Sequence, residues 1–258
     1  MNRIFILAIS KHGAELARAI AHETGAECHI FHTHAVEGET TFDDLRERVK
    51  ELFPVAQGLI FIMAQGIVSR MIAPYLTSKH TDPAVVACDD AGRFAISAAG
   101  GHEGGANLLA CIVASITGAT PVITTATEAN KQYVVGVGAR KGETAENIKK
   151  AINEACYEAG ISTSDVRLIA SAWLKQDEEG LVSAVASMGI YIRFVPKFLF
   201  DSYNFQGEET AAAKYFDIPA VAEPSALICA QNPELILPAK AYNGVMIAIT
   251  KDTLCSIS

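Results

Sequence analysis

Residues Gly58–Ala64 read Gly-Leu-Ile-Phe-Ile-Met-Ala, an apolar run without a polar interruption. Such a run is typical of a strand that is covered on both faces, as in parallel sheets with helices on either side. Similar runs occur at Ile4–Ile9, Ala84–Cys88 and Tyr133–Gly138, and amphipathic stretches separate them. The alternation predicts an α/β fold in which mostly parallel sheets are sandwiched between helices, in three layers.

The length of 258 residues allows one large α/β domain or two modest ones. A new set of strand and helix signals begins near residue 130, so we predict an N-terminal domain of residues 1–130 and a C-terminal domain of residues 131–258. Asp89–Gly92 predicts a hairpin in the first domain. Asn243-Gly244, the strongest dipeptide signal for a two-residue turn, predicts a C-terminal hairpin and a mixed sheet in the second.

Two helix starts are predicted from capping residues. A helix is expected over Phe42–Leu52, with Thr40 or Thr41 as its N-cap, and a second helix is expected after Thr144. Ser, Thr, Asp and Asn are favoured at this position because their side chains accept hydrogen bonds from the free amides of the first turn.

The composition excludes several classes of function. A net charge of −8 provides no broad basic surface for nucleic acid. The apolar run near the N-terminus is too short to span a membrane. The six cysteines lie far apart without a C-x-x-C pair, which predicts free thiols in a reducing compartment and therefore a cytoplasmic protein.

The loop Gly100–Gly105 is the strongest candidate site. It contains four glycines in six positions, connects a predicted strand to an Ala/Leu/Ile-rich helix, and frames His102 and Glu103. The free amides at a helix N-terminus favour an anion or a developing oxyanion, and an imidazole is a suitable acid or base. In the alternative interpretation, the glycines only make a tight turn from strand to helix; the loop alone leaves both interpretations open.

Gly136-x-Gly138-x-x-x-Gly142 follows a predicted strand and opens a predicted helix, as in dinucleotide-binding proteins. Its spacing is one residue too long, and no carboxylate follows to bind a ribose. We therefore favour an anion-binding loop that contains Arg140 and Lys141.

Lys175 and Glu178 follow another predicted strand, at the position where open α/β sheets place ligand groups. Lys175 would bind a carboxylate there, with Glu178 holding the lysine. In the structural alternative, Asp177 caps the next helix and the acidic residues only complement the helix dipole.

Two other constellations are weaker. Cys28, His32 and His34 would share one face of a strand and provide three ligands for a metal, but no fourth ligand is evident and we favour solvated histidines. Ser69 and Ser97 lack the G-x-S-x-G pattern of a nucleophilic serine.

Five segments of the chain resemble a known family: Met63–Pro74, Asp82–Asn107 with its Gly-His-x-Gly-Gly-Ala-Asn motif, Gly118–Thr127, Gly136–Gly142 and Leu174–Leu181. They occur in the same order in the CbiG family, the cobalt-precorrin-5A hydrolases of anaerobic cobalamin biosynthesis. The pattern of that family usually has Leu-Leu-Ser where this chain has Ala98-Ala99-Gly100. Many members also have a segment between the two domains that this chain lacks.

The resemblance implies a hydrolase acting on carbon–carbon bonds, in which water opens a δ-lactone on a cobalt-bearing corrin precursor and acetaldehyde leaves. It places His102 and Glu103 in the catalytic role. The residues expected to bind the substrate, from this resemblance and the candidate sites above, are Gly66, Arg70, Gly101, Gly104, Gly105, Asn107, Thr124, Thr125, Arg140, Lys141, Lys175 and Glu178.

No protein-bound metal or other cofactor is expected, because the cobalt arrives with the substrate. A homodimer and transient contacts with other enzymes of the pathway remain open. Two alternative functions also remain open: a non-enzymatic protein that binds corrinoid precursors as a chaperone, and an NAD(P)-dependent enzyme built on the second glycine loop.

Overall fold

The computed structural model describes residues 3–205, 218 and 220–253. The chain divides into two compact units, Met1–Thr125 and Ala126–Ser258, which we call unit 1 and unit 2. Each unit contains one sheet with helices packed on both faces. The predicted three-layer α/β class is therefore confirmed.

Unit 1 is built on a seven-stranded sheet with the strand order β3-β2-β1-β4-β5-β6-β7. β5 and β6 are antiparallel, and every other neighbouring pair is parallel. Its elements are β1 (Ile4–Ala8), α1 (Lys11–Thr24), β2 (Glu27–Phe31), β3 (Thr40–Phe42), α2 (Leu45–Leu52), β4 (Gly58–Ile62), α3 (Gln65–Ile72), β5 (Ala84–Cys88), β6 (Phe94–Ala99), α4 (Ala106–Thr117) and β7 (Thr120–Val122).

The central strands of unit 1 have apolar side chains on both faces. Ile6, Ile60 and Val86 lie side by side in register and are fully buried with residues of α1 and α4. Leu7 and Phe61, one position further along their strands, pack with residues of α2 and α3 on the opposite face. Burial on both faces explains why these strands read as continuous apolar runs.

The direction of β6 decides where the loops of unit 1 lie. Ala99 pairs with Val85, and Ala95 pairs with Cys88, so β6 runs against β4 and β5 and the predicted hairpin is confirmed. The loop after β6 therefore lies beside the start of β5, at the sheet edge opposite to the loop that joins β4 to α3. Because β7 is parallel to β6, the residues after β7 return to the same edge as the loop after β6.

The helix predicted over Phe42–Leu52 is shorter in the structure. Thr40–Phe42 forms the edge strand β3, which pairs with β2, and α2 begins at Leu45. The N-cap is Asp44 and not a threonine: its carboxylate accepts hydrogen bonds from two amides of the first turn. The prediction overlooked that β-branched threonines favour a strand over a helix at this position.

Unit 2 is built on a five-stranded sheet with the order β10-β9-β8-β12-β11, in which β8, β9 and β10 are parallel and β12 is antiparallel to both of its neighbours. Asn243 and Gly244 have positive φ between the last two strands, so the predicted C-terminal hairpin is confirmed. The elements are α5 (Ala126–Ala129), β8 (Tyr133–Gly138), α6 (Ala145–Glu158), β9 (Val166–Ala172), α7 (Glu179–Met188), β10 (Tyr191–Val195), α8 (Lys197–Ser202), α9 (Ala222–Cys229), β11 (Pro233–Tyr242) and β12 (Val245–Asp252).

Alternate residues of β8 face different helices. Val135 and Val137 belong to the core that includes α6 and α7. Gly136 faces α9, and a Cβ atom on it would overlap the carbonyl oxygen of Ala222. The glycine is therefore needed so that the backbone of α9 can approach the strand. This packing gives Gly136 a structural role that does not require a dinucleotide.

The cysteines within the described residues are all free thiols. Burial raises the pKa of the Cys88 thiol to about 12, so this thiol remains protonated at neutral pH. The sixth cysteine, Cys255, lies outside the described residues. In the same described part of the chain, none of the helices has both the length and the apolar character needed to cross a membrane.

Gly136→Ala tests the packing of α9. We expect the free energy of unfolding to fall by about 3 kcal/mol, because the added methyl group overlaps a backbone carbonyl that cannot move independently. Gly138→Ala is a matched control on the same strand: its Cβ atom would meet its nearest neighbours at 3.4 Å or more, and we expect a loss of at most about 1 kcal/mol. Urea denaturation measures both values, and equal stabilities of the two variants would contradict the described packing.

Candidate functional site

The segment of residues 100–105, which we call the glycine loop, joins β6 to α4 through backbone contacts. The amide of Gly104 donates a hydrogen bond of 2.6 Å to the carbonyl oxygen of Gly100, and the amide of Asn107 donates one of 3.1 Å to the carbonyl oxygen of Gly101. Gly100 has a φ of 81°, and a Cβ atom on it would lie 2.9 Å from the carbonyl oxygen of Pro83. The left-handed backbone and this close approach both require glycine at position 100.

The other glycines of the loop also have structural reasons. A Cβ atom on Gly101 would lie 2.9 Å from the methyl carbon of Thr125, and one on Gly104 would lie 2.7 Å from the carbonyl oxygen of Gly100. Gly105, the N-cap of α4, has a left-handed backbone. The tight-turn interpretation thus explains the glycines fully, and their number alone does not identify a ligand site.

Two backbone amides of the glycine loop remain available to a ligand. Gly101, Gly104 and Gly105 were all expected to bind the substrate, but the amide of Gly104 is already hydrogen-bonded within the loop. In the part of the chain that the structure describes, the amides of Gly101 and Gly105 have no acceptor. Both precede α4, whose N-terminus has no side-chain cap. The helix dipole and the two amides together favour an anion here.

The two predicted catalytic side chains differ in their surroundings. His102 is exposed. Glu103 forms an ion pair with Lys79, in which Nζ lies 2.5 Å from Oε1. The hydrogen bond from Lys79 is the main cause that lowers the pKa of Glu103, so this carboxyl group is ionised at neutral pH. His102 is therefore the better acid–base candidate of the pair.

Lys79 and His80 belong to this sheet edge although the sequence analysis did not single them out. They lie in the segment between α3 and β5, where Asp82 accepts hydrogen bonds from two backbone amides and from a threonine hydroxyl. His80 also lowers the pKa of Glu103, after the larger effect of Lys79. No sequence pattern connects residue 79 with residue 103, because the strand reversal at β6 is what brings them together.

Asn107 and Thr125, both expected to bind the substrate, contact each other. Asn107 is fully buried. Ser97 Oγ donates a hydrogen bond of 2.8 Å to Asn107 Oδ1, and Asn107 Nδ2 donates one of 3.1 Å to Thr125 Oγ1. Thr124, the neighbouring residue, is exposed. Asn107 is thus an internal support of the loop, whereas Thr124 is accessible to a ligand at the same edge.

Gly66 and Arg70 lie apart from the glycine loop. Gly66 follows the carboxyl end of β4, which is the opposite edge of the sheet. Arg70 is exposed, and its Nε donates a hydrogen bond of 3.0 Å to the carbonyl oxygen of Gly66. The structure therefore does not combine these two residues with His102 in one site of unit 1.

In unit 2, the structure brings Lys175 and Glu178 to the loop after β8. Lys175 is buried, with Nζ 3.3 Å from Glu178 Oε1, and Glu178 Oε2 accepts a hydrogen bond of 3.0 Å from the amide of Gly142. The bond from Gly142 is the main cause that lowers the pKa of Glu178. Arg140 and Lys141 are exposed. The Lys175–Glu178 pair holds the loop, and the two exposed cations are available to an anion.

Two alternatives from the sequence are wrong. β2 ends at Phe31 and the next three residues form a 3₁₀ turn, so Cys28, His32 and His34 do not share one strand face. Over the described ranges, no group of three His, Cys, Asp or Glu side chains is arranged to hold a metal ion. Asp177 is not the N-cap of α7, because the helix begins two residues later and no side chain caps it.

The two sheets and the glycine loop define a two-domain α/β protein with an anion-favouring turn at one sheet edge. The family model described as "Cobalamin synthesis G N-terminal" matches residues 47–128, and the model described as "Cobalamin synthesis G C-terminus" matches residues 133–250. The first match includes the glycine loop, and the second includes the loop after β8. The chain belongs to the CbiG family of cobalamin-synthesis proteins.

The chain is similar to two proteins named cobalt-precorrin-5A hydrolase. It is 40% identical over 154 residues to the protein from Priestia megaterium, which corresponds to 55% of this chain and 41% of that protein. It is 38% identical over 129 residues to the protein from Salmonella typhimurium, which corresponds to 50% of this chain and 37% of that protein. The match thus spans less than half the length of either relative.

Two solved structures show a weaker likeness. A cobalamin biosynthesis protein G homolog from Sulfolobus solfataricus is 18% identical with a TM-score of 0.39, and 97% of each chain is covered. CobE, from the cobalamin biosynthetic pathway, is 23% identical with a TM-score of 0.43, and 46% of this chain and 89% of that chain are covered. Both TM-scores are low, and neither likeness bears on the site.

Glu178→Gln tests the role of the Lys175–Glu178 pair in unit 2. We expect the free energy of unfolding to fall by about 2 kcal/mol, because Lys175 loses its charged partner while it stays buried. Glu179→Gln, at the exposed neighbouring position, is the matched control and should change stability by less than about 0.5 kcal/mol. Urea denaturation at pH 7 compares them, and a Glu178→Gln variant as stable as its control would show that the pair does not hold the loop.

Proposed function

We propose that the protein hydrolyses the δ-lactone of cobalt-precorrin-5A and releases acetaldehyde, giving cobalt-precorrin-5B in anaerobic cobalamin biosynthesis. The observation that carries this proposal is that both units match models of the CbiG family. The chain is also 40% identical, over the matched residues, to a relative named cobalt-precorrin-5A hydrolase. The described geometry of the glycine loop suits the chemistry of lactone opening.

Attack of water on a lactone carbonyl produces a negatively charged oxygen. Preorganised amide donors that bind such an oxygen are typically worth about 3 kcal/mol each. The amides of Gly101 and Gly105 have no acceptor within the described chain and lie at the N-terminus of α4. We assign them to the carbonyl oxygen of the lactone, where the helix dipole adds to their effect.

The same reaction needs a proton acceptor for the attacking water and a proton donor for the departing oxygen. His102 is exposed in the glycine loop and suits either role, which typically contributes roughly 10²–10⁴-fold to the rate. Glu103 is held as a carboxylate by Lys79, so we assign it to orientation of the loop and not to proton donation.

A corrin precursor carries several carboxylates, and exposed cations or hydrogen-bond donors would bind them. Lys79 and His80 lie at the sheet edge of the glycine loop, and Arg140 and Lys141 are exposed in unit 2. We assign Lys79 and His80 to carboxylates of the substrate at the glycine loop, and we assign Arg140 and Lys141 to an anion site of unit 2 considered by itself. Lys79 and Lys175 are both paired with a glutamate, but Lys175 is buried, so we assign it to holding the loop of unit 2 and not to the substrate.

We further propose that the cobalt is carried by the substrate and that the protein needs no cofactor of its own. The free thiols of the described residues support a cytoplasmic location, because disulfides are rare in reducing compartments.

The direct test of the function is to incubate the purified protein with cobalt-precorrin-5A and assay acetaldehyde. We expect one acetaldehyde for each lactone that is opened. Tight binding of the precursor without acetaldehyde would contradict the proposal and favour the corrinoid-chaperone alternative.

His102→Ala should lower the rate of acetaldehyde release by at least about 100-fold while substrate binding is largely retained, because the loop loses its acid–base group and keeps its amides. The rate of release is measured from the acetaldehyde in samples that are stopped at fixed times. Substrate binding is measured from the change in tryptophan fluorescence. His12→Ala replaces another exposed histidine, in α1, and should act like the wild type. Unchanged turnover in His102→Ala would remove this residue from the mechanism.

Lys79→Ala should raise KM roughly fivefold, the equivalent of about 1 kcal/mol, with a smaller effect on kcat, because it removes an exposed carboxylate contact. Lys50→Ala is a matched control: Lys50 is similarly exposed and also paired with a glutamate, but it lies in α2. Steady-state kinetics at low salt separate the two variants. A wild-type KM in Lys79→Ala would exclude the lysine from substrate binding.

A further inference from the structure

Three elements of unit 1 meet through hydroxyl and amide groups beneath the glycine loop. Ser97 lies in β6, Asn107 in the first turn of α4, and Thr125 after β7. The carboxamide of Asn107 lies between the two hydroxyls, at 2.8 Å from Ser97 Oγ and 3.1 Å from Thr125 Oγ1. We call these residues the Ser97–Asn107–Thr125 cluster.

The cluster holds Gly101 from two sides. The backbone amide of Asn107 donates a hydrogen bond to the carbonyl oxygen of Gly101. The methyl group of Thr125 packs against Gly101 so closely that a Cβ atom there would lie 2.9 Å from it. The backbone of Asn107 and the side chain of Thr125, which the Asn107 carboxamide holds, therefore limit where the backbone at Gly101 can lie.

The polar character of the cluster contrasts with the rest of the interface between α4 and the sheet. The other buried residues there are apolar, among them Ala95, Ala110 and Val113. Burial of an asparagine side chain is unfavourable unless its oxygen and nitrogen find partners. An apolar residue would fill the position of Asn107 at a lower cost in free energy. The polar cluster therefore fixes one orientation of the Asn107 side chain and does not add to the apolar core.

We propose that Ser97 is a positioning residue of the glycine-loop site. Its hydroxyl fixes the carboxamide of Asn107, which in turn fixes Thr125, and Asn107 and Thr125 together hold the backbone of the glycine loop at Gly101. This inference rests on the proposed function of the loop. Ser97 itself does not contact the substrate in this arrangement; it acts through Asn107.

The hydroxyl matters because donors to an oxyanion must be held in place before the reaction. Without it, Asn107 Oδ1 loses the hydrogen bond of 2.8 Å from Ser97, and the Asn107 side chain is held less firmly in its orientation. A displacement of about 1 Å in a catalytic site can cost roughly 10²-fold in rate. Binding of the large substrate depends on many other contacts and should change little.

The kinetic test compares Ser97→Ala with Ser97→Thr, which keeps the hydroxyl. We expect Ser97→Ala to lower kcat by roughly 10- to 100-fold with KM within about twofold of the wild type. Ser97→Thr should restore kcat to within about threefold. Thr117→Val is the matched control: it removes a hydroxyl at the other end of α4, where Oγ1 donates to the carbonyl oxygen of Val113, and it should leave kcat unchanged.

A second measurement does not depend on activity. The amides of Gly104 and Asn107 are hydrogen-bonded within the loop, and hydrogen exchange followed by NMR reports on those bonds. We expect both amides to exchange at least about tenfold faster in Ser97→Ala than in the wild type, with little change in Ser97→Thr or Thr117→Val.

The two measurements separate failure of this inference from failure of the proposed function. If the wild type releases no acetaldehyde, the proposed function is wrong, and the exchange rates alone decide the role of Ser97. Unchanged exchange in Ser97→Ala overturns the inference in either case. In an active enzyme, an unchanged kcat in Ser97→Ala, or a loss that Ser97→Thr does not restore, overturns it as well.

Discussion

The candidate site depends on the antiparallel pairing of β6 with β5. If β6 ran parallel to its neighbour, its loop would lie at the carboxyl ends of β4 and β5, beside Gly66. The reversal instead places the glycine loop beside the start of β5. There Lys79 reaches Glu103, and the parallel strand β7 returns Thr125 to Asn107. One change of strand direction therefore assembles residues from three distant parts of the chain.

Backbone packing then gives the glycine loop a fixed shape. Gly100 is pressed against Pro83, and the amide of Gly104 closes the turn on the carbonyl oxygen of Gly100. These contacts need glycines but leave the amides of Gly101 and Gly105 without acceptors in the described chain. Donors that are already oriented need no reorganisation when charge develops on a substrate, which is the main source of electrostatic catalysis. The absence of side chains on the glycines thus allows the close packing of the loop, whereas the backbone amides of Gly101 and Gly105 are left for a substrate.

The sequence predicted features that depend on local patterns, and it missed those that depend on distant contacts. Continuous apolar runs and the Asn243-Gly244 turn identified the strands and the C-terminal hairpin, because burial and turn geometry act on neighbouring residues. The strand β3 was missed since three residues carry little periodicity. The role of Gly136 required the position of α9, some ninety residues later. Ser97 and Lys79 have no motif, and only the sheet topology reveals them.

The central claim is that the free amides of the glycine loop bind the lactone carbonyl. A crystal structure of His102→Ala with cobalt-precorrin-5A bound tests it most directly, because slow turnover would preserve the lactone. The account predicts the lactone carbonyl oxygen at about 3 Å from the amide nitrogens of Gly101 and Gly105. A lactone bound at the opposite edge of the sheet, beside Gly66 and Arg70, or with its carbonyl turned away from α4, would contradict the account.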